Sequence, residues 1–306
     1  MDSLRAAGCH RAINGGGARP PQVIPEPHLA KACFSNRSLR LASSRARDRD
    51  VDAQIKTFLC RSDNIGVLIR DPGTGACAAI DIPEAAPVLK ALEDTGWRLT
   101  DILVTHRHGD HIAGIEEVKG KTGARVTAPR KAGDAIPAVD IAVGEGDTVT
   151  VGDLVAQVWE TPGHCNDHIT YWFEDAKIIC AGDTLFTLGC GRVLEGPPEV
   201  LWRSLQRFTD LPDETQVFSG HDYVLSNGKF ALAADPDNEA LRARVAEAET
   251  ARRDGSFLIP STLGQERRTN PFLRSGTSEL AKGVNLPAGS SSEKVFVTLR
   301  SWKDRF

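Results

Sequence analysis

Histidine and aspartate recur in four short segments of this sequence, and each segment is built alike. Ile102-Leu103-Val104 runs into Thr105-His106-Arg107-His108-Gly109-Asp110-His111. Val158-Trp159 leads through Thr161-Pro162-Gly163 to His164. Ile178-Ile179-Cys180 leads through Ala181-Gly182 to Asp183, and Val217-Phe218 through Ser219-Gly220 to His221. Imidazole and carboxylate are ligand types for zinc, iron and manganese. His106 and His108 stand two apart and share one side of an extended segment. Asp110 and His111 then diverge into the start of a helix, so one loop can serve two adjacent ions. A lone histidine is more often a surface or core residue than a ligand. Here five of the eight histidines fall in these segments, and that clustering carries the metal reading. His10 and His28 lie near the N-terminus, and His168 reads as a packing residue or one that steadies a ligand.

Ligands at the ends of several strands converge only if those strands lie side by side. Pattern begins near residue 53. Apolar runs of strand length are Ile65–Ile69, Ala76–Ile82, Ile102–Val104, Val126–Pro129, Ile169–Phe173, Ile178–Cys180 and Gln216–Phe218. Asp71-Pro72-Gly73-Thr74-Gly75 has hairpin chemistry, and Gly152-Asp153 joins Val149–Val151 to Leu154–Trp159 as a second hairpin. Pro83 opens a helix carrying Val88, Leu89 and Leu92 on one face. Another helix runs from His111 through Ile112, Ile115 and Val118. Asn238–Arg253 is amphipathic, with Leu241, Val245 and Ala248 together. Residues 275–292 are rich in Gly and Ser and read as loop. The pattern is α+β: sheets flanked by helices.

Composition narrows the classes of function. Hydrophobic residues make up 41% and charged residues 25% of the chain, and the net charge is −4. That is globular, and it lacks the basic balance of a nucleic-acid binder. The seven cysteines form no Cys-x-x-Cys pair and read as reduced thiols of a cytoplasmic protein. No apolar run approaches the roughly 20 residues of a membrane helix. Residues 1–50 hold many arginines, Gly15-Gly16-Gly17 and scattered Pro and Ser. They have no apolar signal core and read as an extension: disordered, or a transit-like segment that would make the location mitochondrial.

At this point the residues resemble a known family. Thr105–His111 resembles the metallo-β-lactamase superfamily signature. Thr161-Pro162-Gly163-His164, Gly182-Asp183-Thr184-Leu185-Phe186, Gly189-Cys190-Gly191-Arg192, Gly220-His221-Asp222-Tyr223 and Asn270-Pro271-Phe272-Leu273-Arg274 narrow the resemblance to glyoxalase II, the hydroxyacylglutathione hydrolases. It runs from about residue 53 to the C-terminus. It implies a four-layer αβ/βα sandwich over residues 51–221 and a helical substrate-binding domain over 222–306. It also implies two divalent ions, zinc first and iron or manganese as alternatives. His106, His108 and His164 would hold one, Asp110, His111 and His221 the other, with Asp183 bridging. Asp183 and Asp110 are then the carboxylates at the reacting centre, and Arg192, Tyr223 and Arg274 the glutathione contacts. Leu194 stands where eukaryotic members have Tyr. Ser275-Gly276-Thr277-Ser278 lacks the second basic residue expected after Arg274, and Cys165-Asn166-Asp167 departs from the usual Thr-x-Gly.

The implied reaction is hydrolysis of S-D-lactoylglutathione to D-lactate and glutathione in methylglyoxal detoxification. The nucleophile is a hydroxide shared by the two ions. The implied partner is the small acyl-glutathione substrate, with neither nucleic acid nor membrane, in a monomer or weak dimer. The alternative is a glutathione persulfide dioxygenase with one iron on the same fold, which would lack the C-terminal helical domain and the Asn-Pro-Phe string. A β-lactamase or RNA-processing nuclease, and a metal-free interaction protein, are the remaining rivals. The acidic charge weighs against the nuclease. The complete ligand set weighs against the metal-free protein, because unused buried ligands are costly to leave unpaired.

Overall fold

The computed structural model describes residues 52–306. The extension read at residues 1–50 lies outside the described residues. Two six-stranded sheets stack face to face. The first holds β1 (Gln54–Cys60), β2 (Asn64–Arg70), β3 (Cys77–Ile80), β4 (Asp101–Leu103), β5 (Arg125–Pro129) and β6 (Ile141–Val143), in that order. Its first two pairings are antiparallel and the rest parallel. The second holds β7 (Thr148–Val151), β8 (Leu154–Glu160), β9 (Ile169–Phe173), β10 (Ile178–Gly182), β13 (Gln216–Ser219) and β14 (Ser261–Thr262). In it only β10 and β13 run parallel. The short hairpin β11 (Leu185–Phe186) and β12 (Gly189–Cys190) stands apart.

Side-chain alternation on the strands makes the layers. In β2, Ile65, Val67 and Ile69 face the other sheet and meet Val158, Tyr171 and Cys180. Leu68 faces the opposite way, toward Val88 and Leu92 of α1 (Ala85–Thr95) and Val118 of α3 (Ile115–Thr122). In β10, Ile178 and Cys180 point inward, while Ile179 and Ala181 point out to the C-terminal helices. Those helices are α4 (Pro198–Gln206), α5 (Val224–Ala234), α6 (Glu239–Arg253), α7 (Leu263–Thr269), α8 (Ser278–Gly283) and α9 (Ser292–Lys303). The result is the helix–sheet–sheet–helix order of an αβ/βα sandwich with helices following it. A strand buried on both faces needs apolar residues throughout, which is why β2, β9 and β10 read as unbroken runs.

Two local expectations change, and one helix is new. The helix expected from His111 is two pieces, α2 (Gly109–Ile112) and α3, because the chain breaks at Gly114. A Cβ there would lie 2.6 Å from Ile82 Cγ2 and 2.7 Å from Ala85 N, so the close approach of α1 admits only glycine. The stretch 275–292 is not loop throughout. Thr277 accepts a hydrogen bond from Leu280 N and caps α8, whose Leu280 and Ala281 are buried. The closing helix α9, with Val295, Phe296 and Leu299 in the core, was not read from the sequence at all.

Candidate metal centre and substrate pocket

The four ligand segments emerge at the same end of the sandwich, as the sequence required. Continuous sheet backbone delivers them. Gly220 N donates to Gly182 O, Ile65 N donates to Gly220 O, and His221 forms a bridge with Asn64. Four of the five imidazoles are then turned by a fixed partner on the outer nitrogen. His111 Nδ1 donates to Asp81 Oδ2 at 2.8 Å, His164 Nδ1 to Arg192 O at 2.9 Å and His221 Nδ1 to Asp63 Oδ1 at 2.8 Å. His106 Nδ1 lies 2.9 Å from Thr105 Oγ1, whose hydroxyl donates to Asp81. Such contacts fix the ring and leave Nε2 free for an ion.

The free atoms converge in two sets. On one side, His106 Nε2 and His164 Nε2 stand 3.0 and 2.9 Å from His108 Nδ1, and His164 Nε2 is 3.5 Å from Asp183 Oδ2. On the other, His221 Nε2 is 3.3 Å from both His111 Nε2 and Asp110 Oδ2, and His111 Nε2 is 3.5 Å from Asp183 Oδ1. Tetrahedral ligands at about 2.0–2.2 Å from zinc lie about 3.3–3.6 Å apart, so the second set has the spacing of donors around one ion and the first is slightly tighter. Asp183 stands between the sets. Its Oδ1 is buried with no hydrogen-bond partner. Donor groups of His106, His164 and Asp183, and of Asp110, His111 and His221, are each close enough to hold a metal. Asp81 also lies within reach of His106 and His111, but its oxygens already accept from Thr105 N, Thr105 Oγ1 and His111. It is therefore a support for the ligands.

Charge in the cluster points the same way. Burial opposes ionisation of Asp183, yet His111 and His221 hold its carboxyl well below the usual range. Burial equally opposes charge on His221, but Asp110 and Asp183 carry it up to about 10. The buried carboxylates thus demand positive charge among their neighbours, and divalent cations satisfy that demand. His168 behaves differently. Burial, then His164, pushes it down to about 3, so the neutral ring accepts from Asp183 N at 2.9 Å. It steadies the backbone of the central carboxylate. Gly220 leaves the space this carboxylate occupies: a Cβ there would lie 2.3 Å from Asp183 Oδ1 and 2.7 Å from His111 Cε1.

A cavity of about 610 Å³ opens from the cluster, lined by His108, Asp110, Asp183, Phe186, Arg192, Leu194, Tyr223 and Lys303 among others. Tyr223 stacks on His221 with ring centroids 4.8 Å apart and meets Phe186 edge-on. Arg192 is exposed, 3.9 Å from Asp304. Arg274 is not brought to this cavity. It pairs with buried Asp235, Nη2 lying 3.1 Å from the carboxylate. Besides Arg192, the basic groups that line it are Arg300 and Lys303, which sequence reasoning missed. Arg300 Nη1 donates to Cys190 O at 3.1 Å and Gly191 O at 3.3 Å. Lys303 is lowered to about 8 by burial and by Arg300. A signal was available: Arg300 and Lys303 are three apart, so on a helix they share a face.

With the geometry placed, comparison with known proteins decides the family. The superfamily model for metallo-β-lactamases matches residues 54–221, and the model described as the hydroxyacylglutathione hydrolase C-terminus matches residues 222–306. A hydroxyacylglutathione hydrolase of Methylobacterium nodulans is 69% identical over 253 residues, covering 83% of this chain and 99% of its own. The chain belongs to the hydroxyacylglutathione hydrolases. A second relative of that name, from Rhodopseudomonas palustris, is 50% identical and covers 82% of this chain and 98% of its own. Among solved structures, ETHE1 from Myxococcus xanthus has a TM-score of 0.56 at 27% identity, covering 82% of this chain and 99% of its own. The BLEG-1 B3 metallo-β-lactamase, at TM-score 0.55 and 20% identity over 72% of this chain and 99% of its own, shares the fold. A fold of this family implies divalent metal. The α5–α9 region that distinguishes hydroxyacylglutathione hydrolases is the one expected to be missing from a persulfide dioxygenase, so that alternative is not favoured. No helix among the described residues is long and apolar enough to cross a membrane.

Proposed function

We propose that this chain hydrolyses S-D-lactoylglutathione to D-lactate and glutathione, with two divalent ions, zinc in the first place, at the centre described above. The observation that carries the reading is a pair of donor sets, with Asp183 within 3.5 Å of histidines from both, at the floor of a cavity whose lining includes residues of the part matched by the hydroxyacylglutathione hydrolase C-terminus. His106, His108 and His164 would hold one ion and Asp110, His111 and His221 the other. When bound, the ions supply hydroxide at neutral pH and charge for the oxyanion.

The chain's own residues do the rest. Asp183, central and low in pKa, accepts a hydrogen bond from the attacking group and orients it. Tyr223 and Phe186 wall the cavity with aromatic surface, and the Tyr223 hydroxyl keeps its proton because burial and then Asp63 push its pKa far up. It can therefore donate to a substrate oxygen. Arg192 and Lys303 offer cations to the glutathione carboxylates; Arg274, spent on Asp235, is left out of this set. A thiolate whose thiol has a pKa near about 8.5 leaves with little acid assistance. We take the protein to be a cytoplasmic monomer or weak dimer.

Metal analysis of the purified protein alongside a thioester assay tests the reading. We expect two equivalents of metal and turnover of S-D-lactoylglutathione without oxygen uptake. His106→Ala and Asp183→Ala should each remove turnover and lower bound metal. Wild-type rates in either variant would sink the assignment.

A further inference from the structure

Arg107 is the residue between the first two histidines, and its side chain points away from the ligands. It pairs with Asp167 on one side and with Glu195 on the other. Asp167 also accepts from Arg107 N at 2.9 Å, and Glu195 also accepts from Asn166 N at 2.8 Å. Three segments meet in this knot: the His106–His111 loop, the 165–167 turn after His164, and the rim 192–196. The Asp167 side chain is only 1% exposed, against 31% for Arg107 and 28% for Glu195. Its carboxylate is thus committed to Arg107, and Arg107 has its other arm for Glu195. Asp167 belongs to the string that departs from the usual Thr-x-Gly, so the knot uses a side chain which glycine would not provide.

The rim it holds is the wall of the cavity that carries Arg192 and Leu194. Before Glu195 the rim is tied by Leu194 N donating to His164 O at 3.3 Å and by Arg300 donating to Cys190 and Gly191. After it, Gly196 turns with φ +79° into the start of α4. Glu195 is therefore the side-chain anchor at the far end of the rim. Leu194, 54% exposed, stands on the cavity's edge beside it.

We infer that Arg107, Asp167 and Glu195 form a clasp that positions the 192–196 rim for the glutathione thioester, making Arg107 and Glu195 positioning residues for substrate binding. None of the three touches the reacting atoms. The inference rests on the reading that an acyl-glutathione occupies this cavity. It sets an expectation for binding separate from chemistry: loosening the rim weakens the hold on the glutathione half and leaves the ligand cluster as it was.

The experiment compares wild type with Glu195→Gln, which keeps shape and removes charge, and with Arg107→Met. Four quantities are read: kcat and KM for S-D-lactoylglutathione, the calorimetric Kd for glutathione alone, and bound metal. For Glu195→Gln we expect KM and Kd to rise about 5–10-fold, with kcat within twofold and metal unchanged, in line with loss of an interaction made equally in ground and transition states. The double variant Arg107→Met/Glu195→Gln should bind no more weakly than Arg107→Met alone, because the Arg107–Glu195 contact is already lost in that single variant. Should Arg107→Met unfold, Glu195→Gln still decides. Unchanged KM and Kd in Glu195→Gln would overturn the clasp, as would an equal fall in kcat with lost metal. A wild-type protein that binds glutathione but does not turn over the thioester would refute the proposed activity and leave the clasp to be judged by Kd.

Discussion

Asp81 shows how a residue that never meets the substrate can govern the centre. It adopts φ +54°, a backbone state Asp tolerates better than most. From there its two oxygens reach Thr105 N, Thr105 Oγ1 and His111 Nδ1. Removing such a support commonly costs about 10–100-fold in metal affinity. We therefore expect Asp81→Asn to weaken binding of the second ion by that factor, read by competition with a chelating dye, while His108→Ala acts on the first. Asp63→Asn should act in the same direction through His221. Lys303 gives a pH prediction. Burial lowers it to about 8, so it is charged below that pH and loses its charge as pH rises through it. KM for an anionic thioester should then climb above about pH 8. Lys303→Met should have a high KM and no such step, which a KM–pH profile between 6 and 10, on the order of two units either side of that pKa, will show.

At the scale of elements, the link between the centre and the C-terminal helices is a buried polar junction. Asn270, just after α7, donates to Phe186 O at 3.1 Å, Gly189 O at 2.9 Å and Glu266 Oε2 at 3.0 Å. Glu266, fully buried and raised by that burial, accepts from Leu188 N at 2.9 Å. The β11–β12 hairpin that carries Phe186 is thereby fixed to α7. Asn270→Ala should leave carbonyls unsatisfied and cost roughly 1–3 kcal/mol in urea unfolding, with a loss of binding as Phe186 and Tyr223 shift. Most strands were legible because alternating or unbroken apolar runs announce them, and the metal cluster was legible because its ligands sit beside strand ends. What escaped was set by tertiary contact. Helices α4, α5, α7 and α9 carry apolar residues that bury against β9, β10 and β13, and no local run marks that partner. Arg274 read as a pocket cation because it follows Asn-Pro-Phe, but the sequence does not display Asp235, which claims it.

The whole described molecule is one body by its packing. A single apolar cluster joins Trp172, Ile179 and Val217 of the second sheet to Leu201, Phe230 and Phe296 of the helices and to Phe272 between α7 and α8. The boundary expected at 221/222, where the two family models also meet, therefore does not divide this core. We propose that residues 222–306 do not fold when expressed alone and that the full chain shows one calorimetric transition. Phe296→Ala should lower its stability by about 3–5 kcal/mol. Cysteines 60, 77, 165, 180 and 190 are all buried, and burial pushes the Cys60 and Cys77 thiols up to about 12. These five should stay unlabelled by a thiol reagent in native buffer and react together on unfolding.

Gly220 offers something practical. Its missing side chain is the room in which the Asp183 carboxylate lies, with a would-be Cβ 2.3 Å from Oδ1. Alanine is the mildest possible intrusion, and it falls just past the end of β13. Gly220→Ala should give a folded protein with every ligand still encoded but Asp183, and the His111 ring beside it, displaced. Such a variant separates the loss of a ligand from the loss of its place, a distinction that deleting His or Asp side chains cannot make.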